Sequence, residues 1–472
     1  MNPARLVLPA LRWSAVTGFD HEAQHIATAL ELGVGGFIIF GGPASAVEAL
    51  VASLRERSGE ALLIASDLER GAGQQFQGLS ELPPPRALAA LNDPEAVFES
   101  GKVTAAEARS VGIDWVFAPV ADLDANPANP IVQTRSFGET PETVAECVRR
   151  WVEGCRAGGA LSCVKHFPGH GRTATDSHAG LPVVQATMRE LEQADWLPFR
   201  AAIAAGVPAV MTGHIAYPAI DPSGKPATVS PVLLGLLRDR LGFEGAVVSD
   251  ALIMEGAFAG RGEEEAYRDA VAAGVDLLLY PRDLRIAVDA ISDGAVSPGR
   301  LAEAMTRYER LLQLAAGLTA VPPTDGAEVE RSLASRLVEQ GMRRGDMPAL
   351  VPPFELMLLD DDVGGPYPPS SSGYVAQELA RLGVPLGAGG SRIVLAFAEP
   401  RAWKERSGLS AENHERLAAL APEADLVVLF AHERLIAEVP AGPPVLLAWH
   451  RQRPLQVAVA RRLATPGPRH LL

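Results

Sequence analysis

From its first residues to about position 280, the chain alternates short apolar runs with longer, charge-bearing segments of helical period. That rhythm limits the possible folds more than any other feature. The apolar runs lie at residues 5–13, 35–40, 61–67, 114–122, 160–168, 208–214, 245–250 and 275–280. Between them the periodicity predicts helices over 21–32, 45–57, 94–111, 141–157, 187–206, 231–241 and 263–273. Strands that alternate with helices imply parallel strands joined by crossover helices. Eight such units favour a closed (β/α)8, TIM-like barrel, with a doubly wound sheet as the alternative.

A barrel of about 250 residues or more leaves part of a 472-residue chain over. Residues 301–318 have the pattern of a closing helix, and TAVPPTDGAE after them has the composition of a linker. A helix-like stretch at 329–341 then precedes four further apolar runs at 354–359, 392–397, 425–430 and 444–449. The expected organisation is a catalytic barrel over 1–320, a linker and connecting helix over 321–347, and a small α/β domain with a parallel sheet over 348–472.

Hydrophobic residues make up 47% of the chain, ample for two cores. With 42 basic against 57 acidic residues the net charge is −15, which argues against nucleic acid and against anionic membrane surfaces as partners. Pro9 and Arg12 interrupt the first apolar run before a signal-peptide core could form. No run reaches the roughly 18 apolar residues of a membrane span. Cys147 and Cys155 fall eight residues apart on one predicted helix, about 12 Å of rise, too far for a disulfide. The cysteines, Cys163 included, read as reduced, and the expected location is cytoplasmic.

Several apolar runs end in polar residues: Asp67, Asp122, Lys165 with His166, His214 and Asp250. In a barrel these ends converge on one mouth, where active sites form. The densest polar stretch is KHFPGHGRTATDSH, residues 165–178. One reading is a zinc site from His166, His170, Asp176 and His178. However, a pair of histidines four apart needs a helix to face one metal, and Pro168-Gly169 breaks helices. The other reading is an acid/base loop in which Asp176 accepts a hydrogen bond from His178 and stabilises its cation. Asp250, at the end of GAVVSD, could attack an anomeric carbon or simply cap a helix.

KHFPGHG, TATDSH and PATVSPVLLGLLRDRLGFEGAVVSDALIMEGA together resemble glycoside hydrolase family 3, and within it the β-N-acetylglucosaminidase branch. The likeness runs through about residues 20–320. It implies a retaining exo-β-N-acetylhexosaminidase that releases terminal β-linked N-acetylglucosamine from glycans or cell-wall fragments, as in peptidoglycan recycling. It further implies Asp250 as nucleophile and His178 as acid/base, oriented by Asp176, with neither metal nor cofactor. Asp67 in SDLERGAG, Arg135 in TRSFG, Lys165, His166 and His214 in MTGHIAYP match substrate-binding positions of the family. The chain departs from the family pattern at Arg70, Gln75, Arg172 and Ala251. Gln75 stands where arginine is common, and Arg70 is expected to fill part of the space this leaves. The C-terminal segment resembles a shortened form of the family's α/β sandwich. The rival readings are a β-glucosidase or a phosphate-using phosphorylase with the same Asp/His pair, and a carbohydrate-binding relic without turnover.

Overall fold

The computed structural model of the chain describes residues 2–177, 180–319, 321–322, 325–364, 370–400, 404 and 406–465. The first strand run is split by Pro9, which has no N–H to donate, into β1 (Val7–Leu8) and β2 (Ala10–Arg12). There follow β3 (Gly36–Phe40), β4 (Leu63–Ser66), β5 (Trp115–Val116), β6 (Leu161–Phe167), β7 (Ala209–Thr212), β8 (Ala246–Val248) and β9 (Leu278–Leu279). Strands β2 to β8 pair in sequence order, all parallel. Closure comes from β1 pairing with β9, Val7 opposite Leu278, and from a parallel bridge between Val248 and Leu277. The ring makes every strand interior, which explains why the runs read as continuously apolar rather than alternating.

Helices cover the outside of the ring. Pro94–Ser110 starts on the Asp93 carboxylate, which accepts from the Glu95 and Ala96 N–H groups at 3.0 and 3.3 Å. It packs against Pro141–Ala157 at backbone contact. A Cβ on Gly101 would lie 2.4 Å from the Trp151 carbonyl oxygen, and one on Gly154 would lie 2.0 Å from that of Phe98. The expected helix over 187–206 is divided into Met188–Glu190, a wide π turn at Leu191–Asp195, and Trp196–Ala204. Pro198 withholds one donor from that turn. The helices Pro85–Ala90, Glu255–Phe258 and Leu284–Ser292 were not foreseen. At the end of the barrel away from the mouth, buried Asp276 accepts from Arg238 at 3.2 Å and Arg307 at 3.0 Å, and from Arg300 as well.

The helices Pro298–Gly317 and Gly326–Glu339 lead to a second sheet. Its strands are β10 (Met342–Arg344), β11 (Glu355–Asp360), β12 (Arg392–Ala398), β13 (Leu426–Ala431) and β14 (Val445–Leu447), in the order β10-β14-β13-β12-β11. Strands β11 to β14 are parallel, as expected. The unforeseen β10 is antiparallel to β14; its short Met-Arg-Arg sequence carries no apolar signal. Residues just past the strand ends face the barrel. His432 lies 3.0 Å from Asp124, Arg434 bonds Asp124 and Glu139 at 2.8 and 2.7 Å, and Gln452 donates to the Leu82 carbonyl at 2.7 Å.

Among the described residues, no helix is long and apolar enough to cross a membrane. All three cysteines are buried and free, and burial pushes the Cys147 thiol up to about 12.

Candidate active site

The site begins with charges that the strand ends force together. Lys165, on β6, is buried, and its Nζ donates to Asp67 Oδ1 at 2.6 Å and lies 2.8 Å from Glu69 Oε1. Glu69 in turn takes a two-pronged contact from Arg135, with Nε at 2.9 Å and Nη2 at 2.8 Å. Burial would raise the Glu69 carboxyl, but Arg135 and Lys165 outweigh it and hold the group well below the usual carboxylate range. Burial likewise opposes the charge on Lys165, and Asp67 and Glu69 more than restore it. The cluster is therefore an alternation of fixed charges, acidic–basic–acidic–basic. It presents Asp67, the least buried carboxylate of the group, to the barrel mouth. Glu69 is the residue that sequence reasoning missed; its signal was its place two residues after Asp67 in SDLE.

A second network lies beside the first. Asp122, fully buried, accepts from His166 Nδ1 at 2.7 Å and from the His170 N–H at 2.6 Å. Burial raises its carboxyl, and His166 and His170 bring it below the ordinary value. His170 places Nδ1 2.8 Å from Thr173 Oγ1 and Nε2 3.1 Å from Ser177 Oγ. The His166 and His170 rings are nearly perpendicular, with centroids 5.8 Å apart. His166 Nδ1 thus turns toward Asp122, and the two His170 nitrogens turn toward Thr173 and Ser177. Among the described residues, no group of three or more His, Cys, Asp or Glu side chains could hold a metal ion.

Asp250 follows β8, where its N–H donates to the Thr212 carbonyl at 3.2 Å and its Oδ1 accepts from the Ala251 N–H at 2.7 Å. Burial works against its charge. His166, His214, the Ala251 N–H and Lys165 prevail, so the carboxyl sits below its usual value and is ionised at neutral pH. His214 is buried, with Nδ1 2.8 Å from Thr228 Oγ1 and Nε2 3.2 Å from the Ala251 carbonyl. The carbonyl of residue 251 is therefore a contact that any side chain at that position would offer.

Asp176 and Ser177 are buried. His178 and Ala179 lie outside the described residues, so the position expected to carry the acid/base is not described. Arg172, one of the departures from the family pattern, ties the loop to the π turn through Asp195, with Nε at 2.9 and 3.1 Å from its two oxygens. Gln75 has its Oε1 3.2 Å from the Gly41 N–H, which it accepts. The expectation that Arg70 fills space near Gln75 is corrected: Arg70 Nη1 reaches His450 of the second sheet, 2.6 Å from its Nε2. Burial there works against the guanidinium charge, and the carboxylates of Glu81, Glu69 and Glu399 offset part of that cost.

Comparison with known proteins identifies the family and the fold. Residues 12–314 match the description "glycosyl hydrolase family 3 N terminal domain". A β-N-acetylglucosaminidase/β-glucosidase of Cellulomonas fimi is 38% identical over 290 residues, which are 58% of this chain and 51% of that protein. A β-hexosaminidase of Thiobacillus denitrificans is 39% identical over 258 residues, 52% of this chain and 71% of the relative. The match thus spans about half the length of the first relative and more of the second. Among solved structures, a family 3 β-N-acetylglucosaminidase from a Paenibacillus species superposes with a TM-score of 0.83 at 28% identity, covering 98% of this chain and 95% of that one. A β-glucoside phosphorylase shares the fold, with a TM-score of 0.84 at 21% identity over 98% of this chain and 91% of its own. With the family matched across the barrel and its mouth, the chain belongs to glycosyl hydrolase family 3.

Proposed function

We propose that the chain is a retaining exo-β-N-acetylhexosaminidase acting on terminal β-linked N-acetylglucosamine. The observation that carries this reading is Asp250: a carboxylate at the end of a barrel strand, kept ionised by His166, His214 and Lys165. In the first step Asp250 attacks C1 of the sugar, and protonated His178 gives its proton to the departing glycosidic oxygen. In the second, neutral His178 takes a proton from water, which attacks C1 and frees Asp250 with the configuration retained. Asp176 orients His178. Asp67 accepts from ring hydroxyls, while Lys165, His166, Arg135 and His214 frame the sugar. Each step is proton transfer or displacement at carbon, so the chemistry calls for no metal or cofactor.

The names of the relatives support the sugar assignment, and that of the Cellulomonas protein also favours a second reading in which glucosides are cleaved. We assign the reaction to the barrel, residues 1–320, and read residues 321–347 as connector and 348–472 as a covering domain. The proposed setting is cytoplasmic turnover of cell-wall fragments. Initial rates on a panel of aryl β-glycosides, with and without inorganic phosphate, test the reading. N-acetylglucosaminide should be preferred and free sugar released. Preference for glucoside would shift the substrate, and sugar 1-phosphate as product would replace hydrolysis by phosphorolysis.

A further inference from the structure

We infer that Ser177, the residue between Asp176 and His178, is a positioning residue for the acid/base pair, clamped on its side chain by His170 and on its carbonyl by Gly256. This rests on the acid/base reading above. His170 joins two hydroxyls through its ring. Thr173 Oγ1, which receives Asn129 Nδ2 at 3.1 Å and lies 3.0 Å from the His170 carbonyl, is 2.8 Å from His170 Nδ1. His170 Nε2 is 3.1 Å from the Ser177 hydroxyl, so one ring nitrogen donates and the other accepts in either tautomer of the neutral ring.

The carbonyl of the same serine accepts from the Gly256 N–H at 3.2 Å. Gly256 stands in the short helix Glu255–Phe258, six residues after Asp250 on the same connection. A Cβ there would sit 3.0 Å from both the Ser177 and Gly180 oxygens and 3.2 Å from His214 Cβ, so any larger residue would press the two segments a few tenths of an ångström apart. The His170 end is equally fixed, because its own N–H is held by Asp122, the partner of His166. One serine thus joins the segment that follows the nucleophile to the network beneath the sugar site. The peptide it holds is bonded to Asp176 on one side and to His178 on the other.

The test compares Ser177→Ala and Ser177→Thr with wild type and with His178→Ala, on 2,4-dinitrophenyl and alkyl N-acetylglucosaminides. Ser177→Ala should lower kcat/KM for the alkyl substrate by about tenfold to a hundredfold, because that leaving group needs its proton delivered in register. The dinitrophenyl substrate, which leaves unaided, should stay close to wild type, and Ser177→Thr, which keeps a hydroxyl, should restore most of the loss. Equal losses on both substrates, or none on either, would overturn the positioning role. If His178→Ala separates the two substrates and Ser177→Ala does not, only this inference fails. If neither variant separates them, the acid/base reading falls with it.

Discussion

Asp122 supports more of the site than its place at a strand end suggests, since one carboxylate orients His166 through the ring and His170 through the backbone. The polar strand ends were legible in the sequence because short charged residues closing apolar runs have few structural uses in a barrel. Their partners were not, since Glu69 meets Arg135 across 66 positions and Asp122 meets His166 across 44. Two predictions belong to this scale. His178→Ala should lower kcat/KM for alkyl and disaccharide substrates by about 10²–10⁴ while sparing kcat/KM for activated aryl glycosides, with Asp176→Ala following the same order at smaller loss. Values of kcat/KM, which report the first step, plotted against leaving-group pKa check this. His170 supplies the second. Burial pushes it down to about 4, so below its ordinary value near 6.5 the unfolded chain takes up a proton that the folded one refuses. Stability should therefore be intact above about pH 6.5 and fall as pH drops toward 4, by up to roughly 3 kcal/mol from this group. Denaturant unfolding of His170→Gln across that range should show a shallower pH slope than wild type.

At the scale of elements, all eight strands of the barrel were readable, because a strand buried on both sides must be apolar throughout. The close pair of helices was readable in position but not in its approach. Gly101 and Gly154 look like ordinary weak points of a helix until the partner backbone is placed against them. Gly154→Ala should cost roughly 1–3 kcal/mol, seen as a lower thermal midpoint with unchanged kcat/KM well below the transition. The π turn at Leu191–Asp195 escaped sequence reading for a related reason. Its role is tertiary, since it brings Asp195 to Arg172 and so fastens the loop that precedes Asp176. The short helices were missed because four to nine residues give too few turns for a periodic signal.

For the whole molecule, the second sheet is joined to the barrel by charges held in place. Arg70 shows why a departure from a family pattern cannot be read locally: its partner His450 is 380 positions away. Asp124 is the centre of the seam, fully buried and shared by His432 and Arg434. Asp124→Ala takes the carboxylate from His432 and leaves Arg434 with the Glu139 carboxylate alone, and should destabilise the chain by about 1–3 kcal/mol, with the connector before the second sheet cut faster in limited proteolysis. The central claim, however, is the identity of the nucleophile. Incubation with a 5-fluoro-N-acetylglucosaminyl fluoride should trap the glycosyl-enzyme, and peptide mass spectrometry should find the sugar on Asp250, with no label and at least about a 10⁴-fold loss of turnover in Asp250→Asn. A label on any other carboxylate of an active enzyme, or undiminished turnover in Asp250→Asn, would contradict the account.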